Sequence, residues 1–98
     1  MNDEQQNLAF RFAHVVLPAY ATDCEPWEWH QDECRRFFAI QEWNVGSICV
    51  CVAGQQTHHG HVTRWLHVSG EDTFTKSTRR QLMEALKDAG HLLDSLAR

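Results

Sequence analysis

Three segments with the composition of β-strands follow one another between residues 36 and 70, separated only by short turn sequences. They are RFFAIQEW (36–43), SICVCVAG (47–54) and HVTRWLHVSG (61–70), and the last of them alternates apolar and polar residues. The turns between them are NVG (44–46) and QQTHHG (55–60). Short connections of this kind predict a three-stranded antiparallel meander, whose apolar face needs a layer of helix to cover it.

Helical patterns flank these strands on both sides. EQQNLAFRFAHVVLPAYA (4–21) is expected to form a helix that ends near Pro18, and PWEWHQDECRR (26–36) a short second helix that begins at Pro26. KSTRRQLMEALKDAGHLLDSLAR (76–98) predicts a final helix, with Thr75 or Ser77 as its cap and Gly90 as a candidate break. Its expected apolar stripe consists of Leu82, Leu86, Ala89, Leu93 and Leu96. The predicted fold class is α+β in the order α-α-β-β-β-α, as a single domain over residues 1–98.

Side chains alternate across a strand, so the residues of the sheet divide between two faces. The expected core face carries Phe38, Ile40, Ile48, Val50, Val52, Val62, Leu66 and Val68. The opposite face carries Phe37, Gln41, Trp43, Ser47, Cys49, Cys51, His61, Thr63, Trp65 and His67. Two interpretations of this second face remain open. Either the N-terminal helices cover it as a second core layer, or part of it is exposed for binding.

Composition and charge limit the function classes. The chain has 98 residues and a formal net charge of −4. A domain of this size has little core to spare for an enclosed substrate cavity, and an acidic chain is a poor general ligand for nucleic acid. No apolar run is long enough to cross a membrane, and the N-terminal sequence MNDEQQ does not resemble a secretion signal. We therefore expect a cytoplasmic protein without membrane contact, whose four cysteines are thiols.

The aromatic sheet face and the acidic segment 25–33 are the expected contact surface for a macromolecular partner with a basic surface. Trp65 is the expected anchor, because Leu66 beside it points into the core and Trp65 must then point the other way. The other expected contact residues are Phe37, Trp43, His67, His58, His59, Glu28 and Asp32. The predicted function is that of a non-enzymatic binding or inhibitor protein, monomeric or weakly dimeric and without a cofactor. An anti-CRISPR-like protein of a phage or mobile element would be an example.

RNA or DNA binding is the first alternative function. Lys76, Arg79 and Arg80 lie at the start of the last predicted helix, where phosphate is attracted. The element order resembles that of the double-stranded-RNA-binding domain, to whose Lys-Lys-x-Ala-Lys pattern Lys76 and Arg79 correspond loosely. That resemblance implies phosphate contacts from this helix. The net charge of −4 favours a protein partner instead.

Zinc binding is the second alternative function. The candidate ligands are Cys24, His30, Cys34, Cys49, Cys51, His58, His59 and His61. They lack the short paired spacing of structural zinc sites, and His61 and His67 would lie roughly 20 Å apart along a strand. We therefore expect no bound metal. Cysteine catalysis is not expected either, because the strand register predicted from the sequence places Cys49 opposite Trp65 rather than opposite a histidine.

Overall fold

The computed structural model describes residues 3–96 and has an α+β fold built on one five-stranded antiparallel sheet. The helices are α1 (Asp3–Arg11) and α2 (Lys76–Leu96). The strands are β1 (Asp23–Cys24), β2 (Glu28–His30), β3 (Glu33–Val45), β4 (Ile48–Thr57) and β5 (Val62–Ser69). They lie in the order β1-β3-β4-β5, with β2 also paired to β3. The α+β class and the C-terminal helix are confirmed, but the sheet has five strands rather than three.

Two compact units make up the chain. The first comprises the chain up to Ile40 together with Gly54–Thr63, and the second comprises Gln41–Ala53 together with the chain from Arg64 onward. The prediction of a single domain over residues 1–98 stays a prediction.

Helix α1 ends at Arg11, well before the expected end near Pro18. In a longer helix the carbonyl groups of Val15 and Val16 would accept from backbone amides four residues later. Here they accept from side chains instead, Val15 from Arg36 Nη2 at 3.0 Å and Val16 from Gln56 Nε2 at 2.8 Å. Gln56 also accepts from Arg36 Nε at 2.9 Å and is almost completely buried. These bonds fix the irregular chain after α1 and replace the last turns of the predicted helix.

The core of the first unit forms where α1 meets the β2–β3 hairpin. Its buried members are Leu8, Phe12, Trp27 and Cys34. Cys34 and Phe38 lie on the same face of β3 and are both buried, so α1 covers the expected core face in this unit. The interpretation in which N-terminal helices cover the Phe37 face is therefore wrong for α1.

A β-hairpin replaces the second predicted helix. Trp29 of β2 pairs with Cys34 of β3, and His30 pairs with Glu33, which leaves a turn of Gln31 and Asp32. Gln31 has a φ of 59°. That left-handed conformation costs an L-residue with a side chain about 1 kcal/mol. The sequence WEWH (27–30) alternates aromatic and polar residues with the period of a strand, although Pro26 favours the start of a helix.

Replacing Gln31 with glycine is expected to stabilise the protein by about 0.5–1 kcal/mol, because glycine adopts a positive φ without a steric cost. The measurement is the urea midpoint of unfolding. The same substitution at Gln55, within β4, should lower stability by a similar amount. Destabilisation by Gln31→Gly would show that the glutamine side chain contributes more at the turn than its backbone conformation costs.

The alternation of buried residues along β3 changes phase, which corrects the predicted face of Trp43. Cys34 faces His58, the residue directly after β4, since the His58 N–H donates to the Cys34 carbonyl, and Val45 faces Ile48 across the tight turn. The stretch from residue 34 to 45 is one residue longer than the facing stretch from 48 to 58, as in a β-bulge. Trp43 therefore shares a side with buried Val45 and lines a groove with Ala85 of α2. It does not lie on the face predicted to carry Phe37.

The remaining predictions for the core have mixed outcomes. Five residues of the expected core face are buried, namely Phe38, Ile40, Ile48, Val50 and Val52. Val62 and Leu66 are half-buried, and Val68 is 46% exposed, so the prediction of burial is wrong for Val68. Strand β5 lies at the end of the sheet, which leaves its side chains fewer neighbours than those of β4.

Helix α2 begins with a reciprocal cap, which confirms one of the two predicted caps. The Thr78 N–H donates to Thr75 Oγ1 at 3.3 Å, and the Thr75 N–H donates to Thr78 Oγ1 at 2.8 Å. Gly90 does not interrupt the helix. Ala85 and Ala89 are its buried residues, whereas Leu86 is 36% exposed. The prediction that Leu86 belongs to the buried stripe is therefore wrong. Because Leu86 is exposed, Leu86→Ala should change the free energy of unfolding only slightly.

Asp72 ties the loop before α2 to the turn between β3 and β4. Its carboxylate accepts from the Ser47 N–H at 2.8 Å and from the Thr73 N–H at 2.7 Å. These two backbone donors hold the pKa of Asp72 below its ordinary value, since they stabilise the charged form. A side chain at Gly46, whose φ is 59°, would collide with this carboxylate.

The stability that Asp72 provides should depend on pH. Because its pKa is lowered in the folded state, its contribution is fully present above about pH 4 and is lost as the pH falls through the lowered pKa. We expect the urea midpoint of Asp72→Asn to fall less than that of the wild type between pH 6 and pH 2.5. Equal falls in both proteins would show that Asp72 carries none of the acid sensitivity.

Candidate functional site

An exposed tryptophan lies at the outer end of the β2–β3 hairpin. Trp27 and Trp29 are two residues apart, yet Trp27 is 4% exposed and Trp29 is 42% exposed. Trp29 contacts the ring of Phe12 with 6.4 Å between centroids and that of His58 with 5.9 Å. The guanidinium of Arg11 lies 5.8 Å from the Trp29 ring. We call Arg11, Phe12, Trp29, His58 and His59 the Trp29 cluster.

The two histidines of this cluster have different roles. The Cys34 N–H donates to His58 Nδ1 at 3.0 Å, and the His58 N–H donates to the Cys34 carbonyl at 2.9 Å. Nδ1 also lies 3.4 Å from the Cys34 carbonyl oxygen, so the ring and the backbone of His58 both contact Cys34. His59 stacks on His58 with 4.0 Å between ring centroids and is exposed. His58 therefore anchors the turn after β4 to the hairpin, while His59 faces solvent.

The segment of the chain that carries Trp29 is rich in acidic side chains. The segment from Asp23 to Glu33 contains five acidic residues and no Lys or Arg. Glu33 pairs with Arg35 at 2.8 Å, whereas Glu28 and Asp32 are exposed and have no ion pair among the side chains that the structure describes. Both predicted acidic contact residues thus lie on the hairpin that presents Trp29. Their charges are available to a cationic partner.

The other predicted contact residues lie elsewhere. Phe37 is in the first unit, half-buried, with its ring 5.9 Å from His30 and nearly perpendicular to it. Trp65 and His67 belong to the second unit, where Trp65 is half-buried and His67 is exposed. Sequence reasoning missed Trp29, Phe12 and Arg11 as neighbours of the predicted His58 and His59. The alternation in WEWH was the one signal that could have singled out Trp29.

The register of β4 and β5 shows that the predicted position of Trp65 opposite Cys49 is wrong. The Thr57 N–H donates to the His61 carbonyl at one end of the hairpin, and Gly70 lies against the backbone of Ser47 and Ile48 at the other. Counting inward from both ends places Cys51 opposite His67, and Trp65 opposite Ala53. Burial raises the pKa of the Cys51 thiol, and the nearby Glu42 and Cys49 raise it further. These surroundings favour the neutral thiol over the thiolate that a nucleophile needs.

Metal ligands are not gathered in the described part of the chain. Among those residues, no three His, Cys, Asp or Glu side chains are placed to hold a metal ion together. All four cysteines are free thiols. His30, one of the candidate ligands, has its Nε2 buried without a hydrogen-bond partner among the described atoms and lies against Phe37 rather than beside a thiol. The prediction that the chain binds no metal stays a prediction.

A second charged surface lies on α2 in the second unit. Lys76, Arg79, Arg80 and Lys87 line a groove of about 480 Å³ together with Met83, which is 65% exposed, and Glu84. None of the four cations has an ion pair among the described side chains. The three residues predicted for nucleic-acid contact are thus together on one helix face.

Neither described helix has the length and apolar content needed to cross a bilayer. Comparison with protein-family models, curated proteins and solved structures gave no match for this chain.

Proposed function

We propose that this chain is a non-catalytic binding protein that engages a protein partner through the Trp29 cluster and the acidic residues beside it. The observation that carries this proposal is Trp29, a large aromatic side chain that is 42% exposed although its immediate neighbours hold it in place. Tryptophan is enriched among the residues that dominate protein–protein affinity. Of the predicted partner residues, His59 stacks on the neighbouring His58, and Glu28 and Asp32 lie on the same hairpin as Trp29.

The neighbours of Trp29 reduce the cost of binding. A flexible side chain loses rotamer freedom when a partner immobilises it, at about 0.5–1.5 kcal/mol. Trp29 already contacts Phe12 and His58, and Arg11 lies within cation–π distance of its ring. The indole is therefore preorganised, and a partner gains contact area without ordering it.

The charge around the cluster supports a partner with a basic surface. Glu28 and Asp32 are exposed on either side of Trp29 in the hairpin sequence and form no ion pair among the described side chains, since Arg35, opposite Glu28 across the hairpin, pairs with Glu33. Exposed charges of one sign steer association with the opposite sign and set its salt dependence. A partner that offers Lys or Arg around an apolar pocket would match both features. Inhibition of host machinery in the manner of an anti-CRISPR protein stays a prediction of the sequence.

Site-specific photo-crosslinking tests this proposal. A photoreactive amino acid at Gln31, at the tip of the hairpin, should capture one protein in a lysate of the source cells, and Trp29→Ala in the same chain should abolish that crosslink. A photoreactive residue at Gln81, exposed on α2, is the matched control and should not capture that protein. Crosslinks that are the same with and without Trp29 would contradict the proposal.

Nucleic-acid binding by α2 is the second candidate function, supported by the four cations grouped on one exposed helix face. Such a face would contact phosphates, and affinity would fall steeply with salt. Fluorescence anisotropy with duplex RNA and duplex DNA at several salt concentrations tests it. Arg79→Glu together with Lys87→Glu should remove the binding if this face carries it, whereas Trp29→Ala should not.

A further inference from the structure

A groove of about 300 Å³ opens in the first unit between α1 and the segment before β2. Its apolar lining residues include Ala9, Phe12, Pro26 and Trp27. Arg36 and Cys24 also line it. This volume is at the lower end of the range for small-molecule sites, which are typically apolar with a few polar groups.

Arg36 is the distinctive group of this groove. Its guanidinium stacks over the ring of Trp27 at 4.5 Å, donates from Nε to Gln56 and donates from Nη2 to the Val15 carbonyl. These contacts fix its position and leave the other N–H groups without a partner among the described residues. A guanidinium carries five donors in one plane and binds carboxylates with two parallel hydrogen bonds.

The charge of Arg36 is not neutralised by the described part of the chain. No described carboxylate lies within 4 Å of it, although Glu25 lines the same groove. Burial raises the pKa of the Cys24 thiol, and the Arg36 charge only partly offsets this increase, so the thiol remains neutral. A half-buried cation of this kind favours an anionic ligand, because an ion pair offsets part of the free-energy cost of removing the cation from water.

We propose that this groove binds a small carboxylic acid with an apolar body, the carboxylate on Arg36 and the body against the exposed apolar residues Ala9 and Pro26. The free acid and the C-terminal carboxylate of a peptide share this chemistry. The groove shares Phe12 with the Trp29 cluster, but its ligand and its key residue, Arg36, are different. The inference therefore does not depend on the proposed function.

Nuclear magnetic resonance titration of the ¹⁵N-labelled chain tests the proposal without disturbing Arg36. Phenylacetate should shift the Trp27 indole N–H and the amides near Ala9 in a saturable way. Phenylacetamide, its neutral counterpart, should bind about ten-fold more weakly, because it lacks the charge-assisted bonds. N-acetyl-alanyl-phenylalanine with a free or an amidated C-terminus forms the peptide pair. The preferred ligand class is the free acid if phenylacetate binds more tightly than the peptide acid, and the peptide C-terminus if the order is reversed. In both pairs the carboxylate must bind more tightly than its amide.

Variants locate the site. Ala9→Leu fills the groove from a helical position and should weaken phenylacetate binding by about ten-fold or more, with Arg36 and its contacts untouched. Asn7→Leu adds the same side chain to α1 at an exposed position outside the groove and should bind as the wild type. The proposal is overturned if acid and amide bind equally, if no saturable shift occurs, or if Ala9→Leu binds phenylacetate like the wild type.

Discussion

Trp27→Ala is expected to lower the free energy of unfolding by about 3–5 kcal/mol, as for other buried large aromatic residues. Trp27 is buried, its ring centroid is 5.2 Å from that of Phe12, and Arg36 stacks on it at 4.5 Å. Truncation would remove a wall of the small core of the first unit and also the aromatic partner of Arg36. Urea unfolding monitored by circular dichroism measures the change.

The matched control for Trp27 is Trp29, two residues further along the same chain. Trp29→Ala should cost less than about 1.5 kcal/mol, because much of this side chain is already in water. A loss below about 1 kcal/mol for Trp27→Ala, or equal losses for the two variants, would mean that the burial difference between them does not exist in solution.

Gly54→Ala is expected to destabilise the protein by about 3 kcal/mol, an overpacking effect at the upper end of the usual range. A Cβ at this position would lie 2.6 Å from Phe38 Cζ and 2.7 Å from the Thr63 carbonyl oxygen. The first contact is with a side chain, but the second is with the backbone of the neighbouring strand, which can move only with the sheet. Thermal and urea unfolding both report this change.

Two further variants test this explanation of Gly54. Phe38→Leu should destabilise the wild type but should recover part of the loss when combined with Gly54→Ala, because residues in contact are energetically coupled. Gly90→Ala should raise stability by about 0.5–1 kcal/mol, since Gly90 lies within α2 and a Cβ there meets nothing within 4 Å. A neutral Gly54→Ala would show that β4 and β5 can separate locally without cost.

The sequence predicted well those elements whose signals are local. The reciprocal Thr75 cap, the burial of Val50 and Val52, and the length of α2 all follow from residues next to one another in the chain. The face of Trp43 could not be predicted in this way, because one extra residue within β3 reverses the side of every later side chain. Nothing in the local composition of RFFAIQEW indicates where such a residue lies.

The candidate site was predicted in part. His58, His59, Glu28 and Asp32 could be proposed from composition, but their relation to Trp29 depends on contacts between residues distant in sequence, such as the bond from Cys34 to His58. The position at which α1 ends also depends on contacts between residues that are distant in sequence. The carbonyls of Val15 and Val16 are taken by Arg36 and Gln56, which lie 21 and 40 residues further along the chain. Tertiary contacts of this kind override helix propensity.

Trp65, the anchor predicted from the sequence, provides the comparison for Trp29. Both are tryptophans on strands, but Trp29 is exposed in a cluster with two predicted contact residues, His58 and His59, whereas Trp65 is half-buried in the second unit. If the hairpin is the contact surface, Trp65→Ala should affect stability more than affinity. The two variants together assign the anchor to one unit or the other.

The central claim is that Trp29 anchors a protein partner, and the most direct measurement is the dissociation constant of Trp29→Ala for the crosslinked protein. Isothermal titration calorimetry should give a loss of affinity of about 2–4 kcal/mol, together with an unfolding midpoint close to that of the wild type. Wild-type affinity in a folded Trp29→Ala protein would contradict the claim. So would an affinity loss that only accompanies unfolding of the variant.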